Sequence, residues 1–175
     1  MSFINRILHR YPLPTKMFLA GTIAAGGDIF TQLLEKQSEW NYKRTARFFT
    51  LATFFTVPVL NIWHKKVLER IFYKNNMHKT VFLRVFLDQL IFSPLIMAGI
   101  LMNLRVLEGF SISQSYEKMK KQWFQLYLTS LTFLPAIQFI NFYFIPPIYR
   151  ILLLQFVAFF WNSYLSWKTQ KKIEN

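Results

Sequence analysis

The stretch that decides the fold runs from Gln122 to Trp167 and reads QWFQLYLTSLTFLPAIQFINFYFIPPIYRILLLQFVAFFWNSYLSW. Its one charged residue is Arg150. A soluble domain rarely runs so far without charge, whereas a helix that crosses a bilayer needs about 20 mostly apolar residues. Because Pro146 and Pro147 divide the segment into two apolar halves, it predicts two helices at membrane depth.

The composition of the whole chain points in the same direction. Of the 175 residues, 53% are hydrophobic and 19% aromatic, and only 17% are charged, against about 25% in soluble domains. The net charge of +13 fits a nucleic-acid-binding protein or a membrane protein with basic loops. Lysine and arginine alternate with apolar runs rather than forming one stripe, so the pattern favours the membrane protein and predicts no direct nucleic-acid partner.

Residues that carry chemistry are few and scattered. The chain has no cysteine, which excludes disulfides and thiolate chemistry. Its three histidines, His9, His64 and His78, are far apart in sequence and lie in loops or at segment ends. We therefore predict no catalytic residue, no metal site, no cofactor and no enzymatic activity.

The first 16 residues are basic and contain no acid. Such a segment resembles a mitochondrial targeting helix, although Pro12 and Pro14 would stop the helix early. A basic flank of the first membrane span explains the same residues equally well.

Apolar segments along the chain predict an all-α integral membrane protein, a small bundle of four or five transmembrane helices. We predict one membrane domain over residues 1–175, with spans at about 16–34, 48–64, 82–104, 126–145 and 148–167. An amphipathic helix over about 111–123, basic and aromatic, should lie at the membrane interface, with Ser111 or Ser113 as its N-cap. Prolines predict helix kinks at Pro58, Pro94, Pro135 and Pro146.

The first predicted span carries small residues at its centre. Gly21 and Ala25, like Thr22 and Gly26, stand four positions apart. This small-xxx-small spacing lets the backbones of two helices approach closely in lipid. We expect another helix to pack tightly against this span.

Polar residues inside the predicted spans are the best candidates for function, because each would be costly if it faced lipid. They should converge on water, which makes a pore, or on one another, which makes a bonded core; the sequence leaves both open. Arg84 and Asp88 have the spacing of a helical ion pair, and Arg150 needs an acid, for which Asp28 and Asp88 are the candidates. The set is Asp28, Gln32, Arg84, Asp88, Gln89, Gln138, Asn141 and Arg150.

The same residues carry a family resemblance. The chain contains the run Pro135-x-x-Gln138-x-x-Asn141-Phe142-x-x-x-Pro146-x-x-x-Arg150, followed by WNSYLSWK over 161–168. Together with Gly27-Asp28, Asp88-Gln89 and Trp63, this resembles the Mpv-seventeen and peroxisomal-membrane-protein-two family, and the C-terminal motif is similar to its mitochondrial branch. The chain departs from the family pattern at Leu134, Val57 and His64, which bears on fine pore geometry.

The resemblance implies a weakly selective channel for small metabolites in the mitochondrial inner membrane. It further implies a role in nucleotide supply and mitochondrial DNA maintenance. The expected partners are the lipid bilayer, small-molecule solutes and, in an oligomer, further copies of the chain. The alternatives are a scaffolding protein in an inner-membrane complex and a pore of the peroxisomal membrane.

Overall fold

A computed structural model describes residues 12–36, 39–68, 83, 85–144 and 147–170. The regular elements in this part of the chain are all helices, and it contains no strand. Three stretches wind as the wider π-helix, at Leu51–Thr56, Trp63–Leu68 and Asp88–Phe92. The α-helices are α1 (Pro12–Leu34), α2 (Tyr42–Thr50), α3 (Val57–Ile62), α4 (Ser93–Leu107), α5 (Ile112–Tyr143) and α6 (Pro147–Gln170).

The fold divides into two compact units. The first takes the chain up to Trp63 together with the chain from Ala158 onward, and the second runs from His64 to Val157. The first unit therefore combines α1, α2 and α3 with the C-terminal part of α6. The single membrane domain over 1–175 stays a prediction.

Two of the prolines predicted to kink helices, Pro58 and Pro94, lie just after π-helical stretches. The amide of Val57 donates to the carbonyl of Ala52, five residues back, just ahead of Pro58. The amide of Ser93 donates in the same way to Asp88, just ahead of Pro94. Since a proline ring collides with the carbonyl four residues before it, a wider turn at that point relieves the collision within a continuous helix.

Helix α5 joins two segments that the sequence analysis separated. The interfacial helix predicted at 111–123 and the span predicted at 126–145 both lie in this one helix of 32 residues, which also contains Pro135. No glycine or proline occurs between 112 and 134 to end it. Ser111 is its N-cap: the Ser111 hydroxyl accepts from the Gln114 amide, and the Gln114 side chain accepts from the Ser111 amide.

In the second unit, α4 and α5 form an antiparallel hairpin. Gly109, with a φ of 95°, reverses the chain in the left-handed region that glycine adopts without strain. Farther along, the indole nitrogen of Trp123 donates to the Pro94 carbonyl at 2.8 Å, and the Tyr127 hydroxyl donates to the Gln89 carbonyl at 3.1 Å. These two bonds fix the register of the helices.

Within the described residues, three helical stretches are long and apolar enough to cross a membrane: Leu13–Leu34, Tyr42–Ile62 and Val85–Leu107. They coincide with the first three predicted spans. Large apolar side chains along them lie open, among them Phe18, Leu33, Phe54 and Leu95, each more than 60% exposed. Exposed apolar surface of this extent suits contact with lipid. The prediction of an all-α membrane protein is confirmed, and the number of spans stays a prediction.

Candidate functional site

The polar centre of the first unit is Asp28, on α1. Its side chain is 0% exposed and its two carboxylate oxygens accept hydrogen bonds from four side chains. Arg44 donates from Nε to Oδ1 at 2.8 Å, and the Ser166 hydroxyl donates to the same oxygen. The Thr45 hydroxyl and the Gln32 amide each donate to Oδ2 at 2.7 Å. Hydrogen bonds from four side chains therefore satisfy the oxygens of this buried carboxylate.

Gln32 lies one turn after Asp28 on the same face of α1, as the spacing of four residues requires. Its amide group also binds the loop that leads into α2: Nε2 donates to the Asn41 carbonyl at 3.2 Å, and Oε1 accepts from the Asn41 amide at 2.8 Å. Gln32 thereby ties the end of α1 to the start of α2.

Arg44 reaches Asp28 because of how α2 begins. Asn41 is the N-cap of α2, and its side chain accepts from the Arg44 amide at 3.0 Å. Arg44 is itself only 3% exposed, and its guanidinium also donates to Glu35 at 2.7 Å and to the Ser166 hydroxyl at 2.8 Å. Arginine suits this position because its planar fork can serve several acceptors at once.

Helix α6 contributes to the centre through a close approach to α1. A Cβ atom placed on Gly27 would lie 2.9 Å from the Phe159 carbonyl oxygen and 3.0 Å from the Ser163 amide nitrogen. Next to this point the Thr31 hydroxyl donates to the Ser163 carbonyl at 2.9 Å. The contact brings Ser166 within reach of Asp28, although the two residues are far apart in the chain.

The arrangement is a closed network, which we call the Asp28 core: Asp28, Gln32, Arg44, Thr45 and Ser166. Its members are all at most 7% exposed, and their polar groups bind one another. Since the Arg44 guanidinium is the cation at hydrogen-bond distance from the Asp28 carboxylate, its removal would leave the buried Asp28 charge uncompensated. The hydrogen bonds and the ion pair of the Asp28 core therefore hold helices α1, α2 and α6 together.

In the second unit, the structure places three of the predicted residues. Asp88 is half-buried at the start of the π-helical stretch, and Gln89 beside it is buried. Gln138, on α5, is half-buried. The side-chain oxygens of Gln89 and Gln138 are both enclosed and have no hydrogen-bond partner among the described protein groups.

The second unit also contains a buried ion pair that sequence reasoning missed. Arg105, 1% exposed, donates to Glu108 at 2.6 Å and to the Gln122 side chain at 2.8 Å. The Glu108 side chain is 3% exposed. Through its bond to Gln122, Arg105 links the end of α4 to the third turn of α5.

The structure describes the remaining predicted residues only in part or not at all. Arg84 and Pro146 are outside the described residues, and so is the predicted pairing of Arg84 with Asp88. Asn141 and Arg150 belong to α5 and α6, but their side chains are outside the described part. Arg44 lies beside Asp28, one of the two acids that we considered as partners for Arg150.

Arg44, Thr45 and Ser166 were the functional residues that sequence reasoning missed. Arg44 and Thr45 fall in the polar, basic connection between the spans predicted at 16–34 and 48–64. A usable signal was Asn41, since an N-cap residue there starts α2 early enough to bring Arg44 and Thr45 onto the helix. Ser166 was visible within the WNSYLSWK motif, but nothing local assigned it a partner.

Long apolar helices with an interior ion pair define a small all-α integral membrane protein. Comparison with known sequences gives the family. The model of the Mpv17 / PMP22 family matches residues 105–166. A relative from Caenorhabditis briggsae named "Mitochondrial inner membrane protein Mpv17" is 53% identical over 95% of this chain and 91% of its own length.

Relatives of lower sequence identity also match over most of the chain. The Homo sapiens protein of the same name is 32% identical over 95% of this chain and 96% of its own length. "Protein SYM1" of Saccharomyces cerevisiae is 34% identical over 95% of this chain and 88% of its own length. No solved structure matches. The chain belongs to the Mpv17 / PMP22 family, and it is a protein of the mitochondrial inner membrane.

Proposed function

We propose that this protein is a weakly selective channel for small metabolites in the mitochondrial inner membrane. It is not an enzyme, and it supports nucleotide supply and mitochondrial DNA maintenance by passing solutes. The polar residues of the second unit contribute to the pathway, whereas the Asp28 core holds the first unit together.

The observation that carries this proposal is the pair of amide oxygens on Gln89 and Gln138. Both are enclosed and lack a hydrogen-bond partner among the described protein groups. In a membrane helix a polar group without a partner costs several kcal/mol. Such a group is tolerated where it lines a cavity that admits water or a polar solute. The two oxygens of the second unit are therefore candidate contacts for water or a polar solute.

Conductance measurements test the role of these glutamines. We expect Gln89→Leu and Gln138→Leu each to lower unitary conductance in planar bilayers, because leucine removes a polar group that a solute can bind. The matched control is Gln125→Leu, on α5 like Gln138 but exposed, which should leave the conductance unchanged.

Two results would contradict the proposal. Purified wild-type protein that gives no current above empty bilayers at any voltage would exclude a channel. Equal conductance in the wild type and in both variants would remove these glutamines from the pathway.

A second candidate is a scaffolding protein of an inner-membrane complex, which the Asp28 core favours. There the polar groups are satisfied by one another, as expected when intramembrane polar residues serve helix packing. Cross-linking in mitochondria followed by native size analysis separates the candidates. A monomer that conducts supports the channel, and a large assembly without conductance supports the scaffold.

A further inference from the structure

The first three turns of α5 carry an exposed basic face. Lys120 and Lys121 are exposed on it, together with Ser113 and Glu117. The opposite face of the same turns is buried in the second unit, with Ser115 at 0% and Gln122 at 6% exposure. The Arg105–Glu108 pair binds Gln122 and so holds this part of the helix in a fixed orientation.

Farther along α5 the same exposed face becomes apolar. Phe124 follows Lys120 and Lys121 by four and three positions, and Leu128 follows Phe124 by four, so all four side chains share one face. Phe124 is 60% exposed and Leu128 is 47% exposed. A face that changes from basic to apolar within one turn matches the boundary between lipid headgroups and acyl chains.

An aromatic ring lies beside one of the two lysine ammonium groups on this face. Lys120 Nζ lies 4.4 Å from the centre of the Tyr116 ring. Cation–π contacts of this kind hold an ammonium group in place without neutralising it. Glu117 lies 3.4 Å from Lys120 Nζ, but this pair is half exposed and therefore weak.

We propose that Lys120 and Lys121 bind the phosphate of an anionic phospholipid whose acyl chains lie against Phe124 and Leu128. The lysines supply charge, and Phe124 and Leu128 supply the apolar contact that a free phosphate ion could not use. The site lies within one helix and does not depend on the protein being a channel.

The test uses the full-length protein in nanodiscs of phosphatidylcholine with phosphatidylglycerol, and measures retained phosphatidylglycerol by native mass spectrometry. Each lysine near an anionic surface contributes about 1 kcal/mol, or about fivefold in affinity. We expect Lys120→Gln with Lys121→Gln to reduce phosphatidylglycerol binding roughly twenty- to thirtyfold. Glu117→Gln should raise binding about twofold or more, because it removes a competing carboxylate.

The control variant removes two positive charges at other positions, Lys43→Gln with Lys66→Gln. Both lysines are exposed, and their replacement should change phosphatidylglycerol binding little. An equal loss in this control would mean that binding follows net charge, and would overturn the site. Phe124→Gln should also weaken binding. Full retention in that variant would indicate a site for phosphate anions alone, and equal retention of phosphatidylcholine and phosphatidylglycerol would exclude a headgroup site; either result overturns the proposal.

Discussion

Replacing Arg44 by glutamine should lower the free energy of unfolding by about 3–5 kcal/mol, the usual cost of breaking a buried ion pair by removing one partner. Arg44 lies within 2.8 Å of Asp28, and the side chains are 4% and 0% exposed. Without the guanidinium the Asp28 carboxylate stays buried without a cation, and Glu35 loses its 2.7 Å contact. Thermal unfolding of the purified protein in detergent measures the loss.

The neighbouring residue provides the control. Lys43 is exposed, so Lys43→Gln removes the same charge and should change the unfolding free energy by less than about 0.5 kcal/mol. The double variant Arg44→Gln with Asp28→Asn should be more stable than the sum of the single effects predicts, because it leaves no buried charge at position 28. Additive effects in that cycle would contradict a direct pair.

The second large effect is expected at Gly27. Gly27→Ala places a methyl group 2.9 Å from the Phe159 carbonyl oxygen and 3.0 Å from the Ser163 amide nitrogen. Both are backbone atoms of α6 and cannot move without shifting the helix. Inserting a methyl group into such a contact typically costs 1–3 kcal/mol, and here it also pushes Ser166 away from Asp28. We expect a lower unfolding temperature and weaker packing of α6 on α1.

Gly26 is the matched control, one residue earlier in the same helix. Among the described residues, a Cβ atom there would meet only the Phe159 ring, at 3.5 Å, which is ordinary contact. Alanine is a better helix former than glycine by about 0.8–1 kcal/mol, so Gly26→Ala should leave stability unchanged or raise it. If both alanine variants lose stability equally, close backbone approach at Gly27 is not the cause.

The sequence predicted that α1 packs closely and singled out Gly21, one of the two small residues at the closest contacts, but not Gly27. Small-xxx-small spacing pointed to Gly21, Ala25, Thr22 and Gly26. Thr22 is exposed and its hydroxyl donates to the Phe18 carbonyl at 2.9 Å. The closest approaches are at Gly27, against α6, and at Gly21, where an added Cβ would lie 2.1 Å from the Thr53 hydroxyl oxygen. The spacing of small residues defines one face of a helix. The point at which the neighbouring helix crosses that face decides which of its residues make the contact.

Local properties of the chain were enough to determine the class of protein. Apolar runs of helical length, few charges and basic connections specify membrane helices, because the bilayer imposes its thickness and its intolerance of unpaired polar groups on any chain. The sequence also marked Asp28 and Gln32 as interior residues for the same reason. The sequence predicted the helix boundaries less well. Arg44 and Thr45 fell between the spans predicted at 16–34 and 48–64, and α5 was predicted as two separate helices.

What only the tertiary structure decided is the identity of the partners. Asp28 binds Arg44 and Thr45 from α2 and Ser166 from α6, a choice set by the rotation of each helix about its axis and by the backbone approach at Gly27. Hydropathy and residue spacing show that burying a charged side chain is costly. They do not show which residue of opposite charge will pair with it. Pairing depends on distances in space between residues far apart in the chain, and those distances exist only once the helices have packed.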